Sequence, residues 1–136
     1  MANSDYDPKT LSHVDHVEVV VIRVESPGEI MRASDVSDFG EAFRCEAEFV
    51  KPMVAAWRGL TTGMSARCHI PPFGFRFLSN ETLLLSASVC WRCNNLYGSS
   101  GSERLFYAFE SNGDAALQLL ELAKQVTGHE PSSESA

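Results

Sequence analysis

The sequence predicts an α+β fold, with an antiparallel sheet of about five strands, two helices on one face, and the element order ββαβββα. Three observations carry this reading. Segments of period-two alternation recur, as where Phe73, Phe75 and Phe77 interleave with Gly74 and Arg76, and such alternation marks strands. Two stretches, after Val50 and after Asp114, space their apolar residues as a helix does. The strands between Phe73 and Glu110 are joined by connections too short for parallel crossovers, which favours a meander.

Residues 1–15 are polar, with Asp5, Asp7 and Pro8, and read as a flexible leader. Residues 129–136 read as a disordered tail, which leaves 16–128 as a single domain. His16–Glu25 is rich in β-branched residues and stops at Ser26-Pro27-Gly28, so it reads as a strand ended by a turn. Glu41–Phe49 sets Phe43, Cys45, Ala47 and Phe49 on one side, which predicts a second strand. Val50, Met53, Val54 and Trp57 then form a helical stripe, with Pro52 tolerated in the first turn. That helix should stop between Gly59 and Gly63.

Phe73–Leu78 and Thr82–Trp91 read as the arms of a hairpin joined through Ser79-Asn80-Glu81. Leu83, Leu85, Ala87, Val89 and Trp91 line one face of the second arm. Asn94–Ser102, with Gly98 and Gly101, reads as a loop, and Arg104–Glu110 as a strand. A final helix follows Asn112-Gly113-Asp114, its stripe formed by Ala116, Leu119, Leu120, Ala123 and Thr127. Gly128 sits where a left-handed terminating residue belongs.

Composition narrows the function. Eleven basic against eighteen acidic side chains leave a net charge of −7, which argues against a nucleic-acid groove, because phosphate binding needs clustered Lys and Arg. No apolar run approaches the roughly 18 residues of a membrane span. The first sixteen residues hold no basic segment ahead of an apolar one, so no secretory signal is expected and a cytoplasmic location follows. There the four cysteines should be reduced thiols or metal ligands. G-x-S-x-G, a Lys-bearing phosphate loop and H-E-x-x-H are all missing from the sequence, so no catalytic residue is assigned and enzymatic activity is not the leading expectation.

The sharpest local feature is Cys90-Trp91-Arg92-Cys93, with Cys68-His69 upstream. Two cysteines separated by two residues can turn both sulfurs towards one metal, and zinc takes four S or N ligands. Cys68, His69, Cys90 and Cys93 are therefore the candidate zinc ligands. Neighbours on extended chain point to opposite faces, which sets Cys68 against His69 as a ligand pair. Reduced core thiols and a disulfide or redox pair remain open alternatives.

Cys68–Leu78 (CHIPPFGFRFL) followed by Val89–Asn95 (VCWRCNN) resembles a pattern in small bacterial proteins of no established activity. In these a cysteine precedes a proline turn and a glycine-led strand, and a C-aromatic-x-C follows the next strand. Cys68, Pro71 or Pro72, Gly74, Cys90 and Cys93 carry the match. The resemblance implies bacterial origin and one α+β domain, and it transfers no catalytic residue.

Acidic residues gather at Asp35, Asp38, Glu41, Glu46 and Glu48, and again at Glu103, Glu110, Asp114 and Glu121. Such a surface suits a basic protein partner, since complementary charge speeds and selects association. The leading expectation is a small protein that acts by protein–protein binding, in the manner of an immunity or regulatory protein. A structural zinc domain is the alternative, and a thiol-dependent enzyme using Cys90 or Cys93 the third.

Overall fold

The computed structural model describes residues 4–23 and 35–131. Among these, seven strands form one sheet: β1 (Ser4–Asp5), β2 (His16–Ile22), β3 (Gly40–Arg44), β4 (Phe73–Ser79), β5 (Thr82–Cys90), β6 (Asn95–Ser100) and β7 (Glu103–Ala108). Two α-helices, α1 (Ala47–Arg58) and α2 (Asp114–Thr127), complete the fold. The strand order is β1-β7-β6-β5-β4-β2-β3. Every pairing is antiparallel except the short β1–β7 contact, which is parallel. The α+β class with two helices on one face is as predicted.

The core lies between those helices and one face of the sheet. Val17, Val19 and Val21 of β2 meet Phe73, Phe75 and Phe77 of β4 and Leu85, Ala87 and Val89 of β5, all buried. Trp57 of α1 is wholly buried, its ring 4.9 Å from that of Phe77 and 6.1 Å from that of Phe75. Its indole N–H donates to the Tyr6 hydroxyl at 2.9 Å, so the tryptophan hides its donor together with its bulk. Trp91 does the same at the other end: it packs on Phe73, Phe75 and Phe109, and its N–H donates to the Ala116 carbonyl of α2 at 2.7 Å.

Four readings change. Residues 4–15, expected as a loose leader, are docked. Ser4 and Asp5 pair with Leu105 and Phe106, Leu11 and Val14 are buried, and Arg58 donates to the carbonyls of Leu11 and Ser12. The strand expected to run to Phe49 ends at Arg44, because Ala47 and Glu48 favour the helix that Glu46 opens. Pro52 is thus six residues into α1 rather than in its first turn. Its missing N–H leaves the Glu48 carbonyl without a helical partner at an exposed position, where water can serve it. Asn95–Ser100, expected as a loop, is β6. Its Gly98 lies so close to Ser86 and Ala87 of β5 that a Cβ would collide with the backbone, and that close approach replaces the usual β-branched signal.

The apolar faces also shift locally. A bulge at Phe77/Leu78 brings Leu84, in place of the predicted Leu83, against the core. On α2 the buried stripe is Ala116, Leu119, Leu122 and Ala123, with Leu120 half-buried at its margin. The Asn80–Glu81 turn takes φ of 51° and 65°, the left-handed pair that a two-residue hairpin requires. Gly128 ends α2 at φ 67°, its N–H on the Lys124 carbonyl, as predicted. Residues 24 and 25 of the first predicted strand and 132–136 of the predicted tail lie outside the described residues. His129 stacks edge-on against Phe73, with ring centroids 5.9 Å apart.

Two outcomes follow from this packing. Trp57→Ala should cost about 3–5 kcal/mol in urea denaturation, since it empties the centre of the core. Deleting residues 1–12 should lower the melting temperature by several degrees, because it strips the cover from Trp57 and leaves the Arg58 guanidinium without its carbonyl acceptors; a melting curve superimposable on the full chain's would refute the docking described above.

Candidate functional site

The sheet face away from the helices carries polar side chains: Glu18 of β2, Arg76 of β4, Ser86, Ser88 and Cys90 of β5, and Asn95, Tyr97 and Ser99 of β6. Residues 60–72 cross one end of this face as irregular chain. There the four residues singled out in the sequence come together. Cys68 and Cys93 are joined in a disulfide, with Cα atoms 5.6 Å apart. Cys90 is a buried free thiol whose sulfur accepts the Cys93 N–H at 3.2 Å and the Ile70 N–H at 3.4 Å. His69 is buried beside them.

Both imidazole nitrogens are engaged. Asn95 Nδ2 donates to the carbonyls of Cys68 (2.9 Å) and Ala66 (3.3 Å) and to Ser65 Oγ (3.0 Å). Its Oδ1 is therefore the atom that faces His69, and Nδ1–H of His69 donates to it at 2.7 Å. Nε2 is left as the acceptor for the Ser88 hydroxyl, also at 2.7 Å. The Tyr97 ring closes the side with an edge-on contact at 4.6 Å. Burial lowers the His69 pKa to about 4, against the opposing effect of its bond to Asn95, so the ring is neutral at pH 7.

This arrangement decides what the four residues can do. A disulfide sulfur is not a thiolate ligand, and both His69 nitrogens are spent on protein partners, so the cluster as it stands does not fit the zinc set expected of Cys68, His69, Cys90 and Cys93. Among the described residues no group of three or more His, Cys, Asp or Glu is placed to hold a metal. Ser88–His69–Asn95 has the connectivity of nucleophile, base and orienter. Ser88 is 0% exposed and His69 5%, however, and the same bonds fasten the 60–72 segment to the sheet. Burial also holds the Cys90 thiol up, against the backbone N–H groups of Ile70, Cys93 and Arg92, and lifts that of the distant Cys45 to about 12. Ser88, Asn95 and Tyr97 escaped the sequence reading; the only trace of them was Ser86 and Ser88 alternating with Leu85, Ala87 and Val89.

A second candidate surface is the edge of the sheet that has no further strand among the described residues. At one end of the strand order, β7 is flanked by β1 and by a bridge between Thr62 and Phe109. At the other end β3 is outermost. The Cys45 N–H bonds the Val17 carbonyl and the Arg23 N–H bonds the Phe39 carbonyl. Alternation of an antiparallel ladder then turns the backbone groups of Ala42 and Arg44 away from β2. Exposed Asp38, Glu41, Glu46 and Glu48 flank this edge. Its cation, Arg44, is already paired with Glu18 (3.3 Å) and Glu81 (3.5 Å). Asp35, grouped with these acids in the sequence, is instead drawn inward. Burial alone would raise its pKa, but the Ser37 N–H and a two-pronged Arg76 contact at 3.0 and 3.1 Å hold it below the usual range.

The depressed pKa of His69 makes stability depend on pH with a definite sign. The unfolded chain takes up a proton near pH 6.5 that the folded chain refuses until about 4, so this contribution is complete above 6.5 and is lost as pH falls towards 4. Urea denaturation should show on the order of 2–3 kcal/mol lost across that window, and a His69→Gln variant should lack the slope. An unchanged slope in the variant would rule out the neutral buried ring. No protein-family model, no curated protein and no solved structure matches this chain.

Proposed function

We propose that this protein is a binding module that accepts an extended, basic segment of another protein as an added strand along β3. One observation supports this most: β3 offers outward backbone donors and acceptors at Ala42 and Arg44 on an acid-lined edge, while the opposite edge is covered by β1. Strand addition draws affinity from main-chain hydrogen bonds, and the carboxylates at Asp38, Glu41, Glu46 and Glu48 select a cationic chain. A net charge of −7 adds long-range attraction for such a partner and repels nucleic acid and anionic membrane surfaces. No helix among the described residues is long and apolar enough to cross a membrane. A cytoplasmic location, the one expected from the sequence, is consistent with the Cys68–Cys93 bridge where that bridge forms and breaks rather than persists.

The test is a titration of isotope-labelled protein with an alternating Lys/Val peptide and with its Glu/Val counterpart. The basic peptide should shift the amides of Gly40–Arg44, and its affinity should fall several-fold between about 0.05 and 0.3 M salt. Ala42→Pro removes an outward N–H and no bond to β2, so it should abolish binding while leaving the melting temperature within a few degrees. Equal binding of the acidic peptide, or shifts confined to another surface, would sink the proposal.

The gathering of Cys68, Cys90 and Cys93 favours a second reading, in which the reduced protein holds a structural zinc through these thiols with His69 turned towards them. One zinc per chain in reduced protein, lost together with stability on Cys93→Ser, would establish it in place of the bridge.

A further inference from the structure

We propose that Cys68, Cys90 and Cys93 form a thiol–disulfide exchange site, in which the Cys90 sulfur attacks Cys93 and releases Cys68 as a partly exposed free thiol. Position is the first argument. The Cys90 sulfur accepts N–H bonds from Cys93 itself and from Ile70, two residues beyond Cys68, so it lies against the backbone that carries one half-cystine and next to the segment that carries the other. Turn geometry is the second. Cys90 ends β5, and residues 91–94 form the turn into β6. The 3.2 Å bond from the Cys93 N–H to the Cys90 sulfur spans the entry to that turn and keeps the two side chains within reach of each other. The third argument is exposure: Cys90 and Cys93 are fully buried while Cys68 is half-buried, so exchange moves the free thiol from the interior to a partly exposed position.

The step balances without an outside oxidant or reductant. A lone pair of the Cys90 thiolate forms the Cys90–Cys93 bond, the electron pair of the Cys68–Cys93 bond leaves with Cys68, and Cys68 takes up the proton that Cys90 gave up. The Cys93 and Ile70 N–H groups, with the Arg92 cation in the same turn, favour the thiolate as it forms. Burial opposes ionisation, so exchange from the observed Cys68–Cys93 bridge is slow near neutral pH and quickens as pH rises. After exchange the 60–72 segment keeps its polar contacts through His69 but loses its covalent tie. Cys68 is then open to disulfide-bearing or electrophilic small molecules.

The experiment uses the full chain carrying Cys45→Ser, which removes the one unrelated thiol. Native protein is held without reductant across a pH series, trapped with a maleimide and mapped by peptide mass. Label should appear on Cys68 in molecules with Cys90 linked to Cys93, its rate rising roughly tenfold per pH unit below the thiol pKa. Cys90→Ser should abolish that label while circular dichroism remains native; should the serine variant misfold, Cys90→Ala serves the same purpose in the apolar surroundings. Label on Cys90 with Cys68–Cys93 intact, or label on no cysteine, would overturn the proposal.

Discussion

Irregular chain laid across a sheet must find partners for its own backbone groups, and in this protein a single carboxamide takes two of its carbonyls, those of Ala66 and Cys68, together with two of its side chains. Asn95 stands opposite Cys90 at the start of β6, and its side chain serves Ser65, Ala66, Cys68 and His69 at once. A sheltered carbonyl without a partner costs about 1–3 kcal/mol, so an apolar residue here would loosen the segment between its disulfide and its backbone ties. Register carries the same requirement. A slip of one residue would put Leu96 beneath the 60–72 segment and turn Asn95 into the core between sheet and helices. The four-residue turn from Trp91 to Asn94, with Asn94 at φ 58°, excludes that slip and so places disulfide, imidazole and free thiol together.

The other end of the polar face is organised by charge. Arg44, Glu18, Arg76 and Asp35 alternate in sign across β3, β2, β4 and the segment entering Val36–Phe39. Arg76 is the central member, held between two carboxylates with only 18% of its side chain exposed. Charges this sheltered stabilise chiefly by not being left alone, and removal of one partner is costlier than the pair is favourable. Ser86 joins the end of the row by bonding both Asp35 and the Val36 N–H. The row also ties β3 into the sheet through its cation, which gives the flanking carboxylates the outer edge.

The sequence made some of this legible and hid the rest for identifiable reasons. Strands β2, β4, β5 and β7 and both helices announce themselves because each buries one periodic face, and periodicity survives without tertiary information. β6 does not, since Asn95, Tyr97 and Ser99 meet other polar chain and Gly98 stands where a side chain would collide. The first fifteen residues look solvated by composition, yet Tyr6 and Leu11 fill positions that only the folded Trp57 creates. At the candidate site, the cysteines and His69 were visible as residue types. Their assortment into a bridge, a free thiol and a neutral ring depends on Ser88 and Asn95, whose roles come from the β5–β6 pairing and from no local motif.

The parallel β1–β7 contact has a consequence for the order in which the chain consolidates. Ser4 pairs with Leu105, so the strand nearest the start of the chain closes against one of the last to be made. Loop-closure entropy across that span is compensated only once β4 to β7 exist as a surface. During synthesis the hydrophobic groups at Tyr6, Leu11 and Val14 are displayed at least until α1, which carries Trp57 and Arg58, has been made. The segment behaves as a latch, early to emerge and late to shut, and a nascent chain stalled before β7 would hold it on α1 alone, without the strand that closes over Ser4 and Asp5.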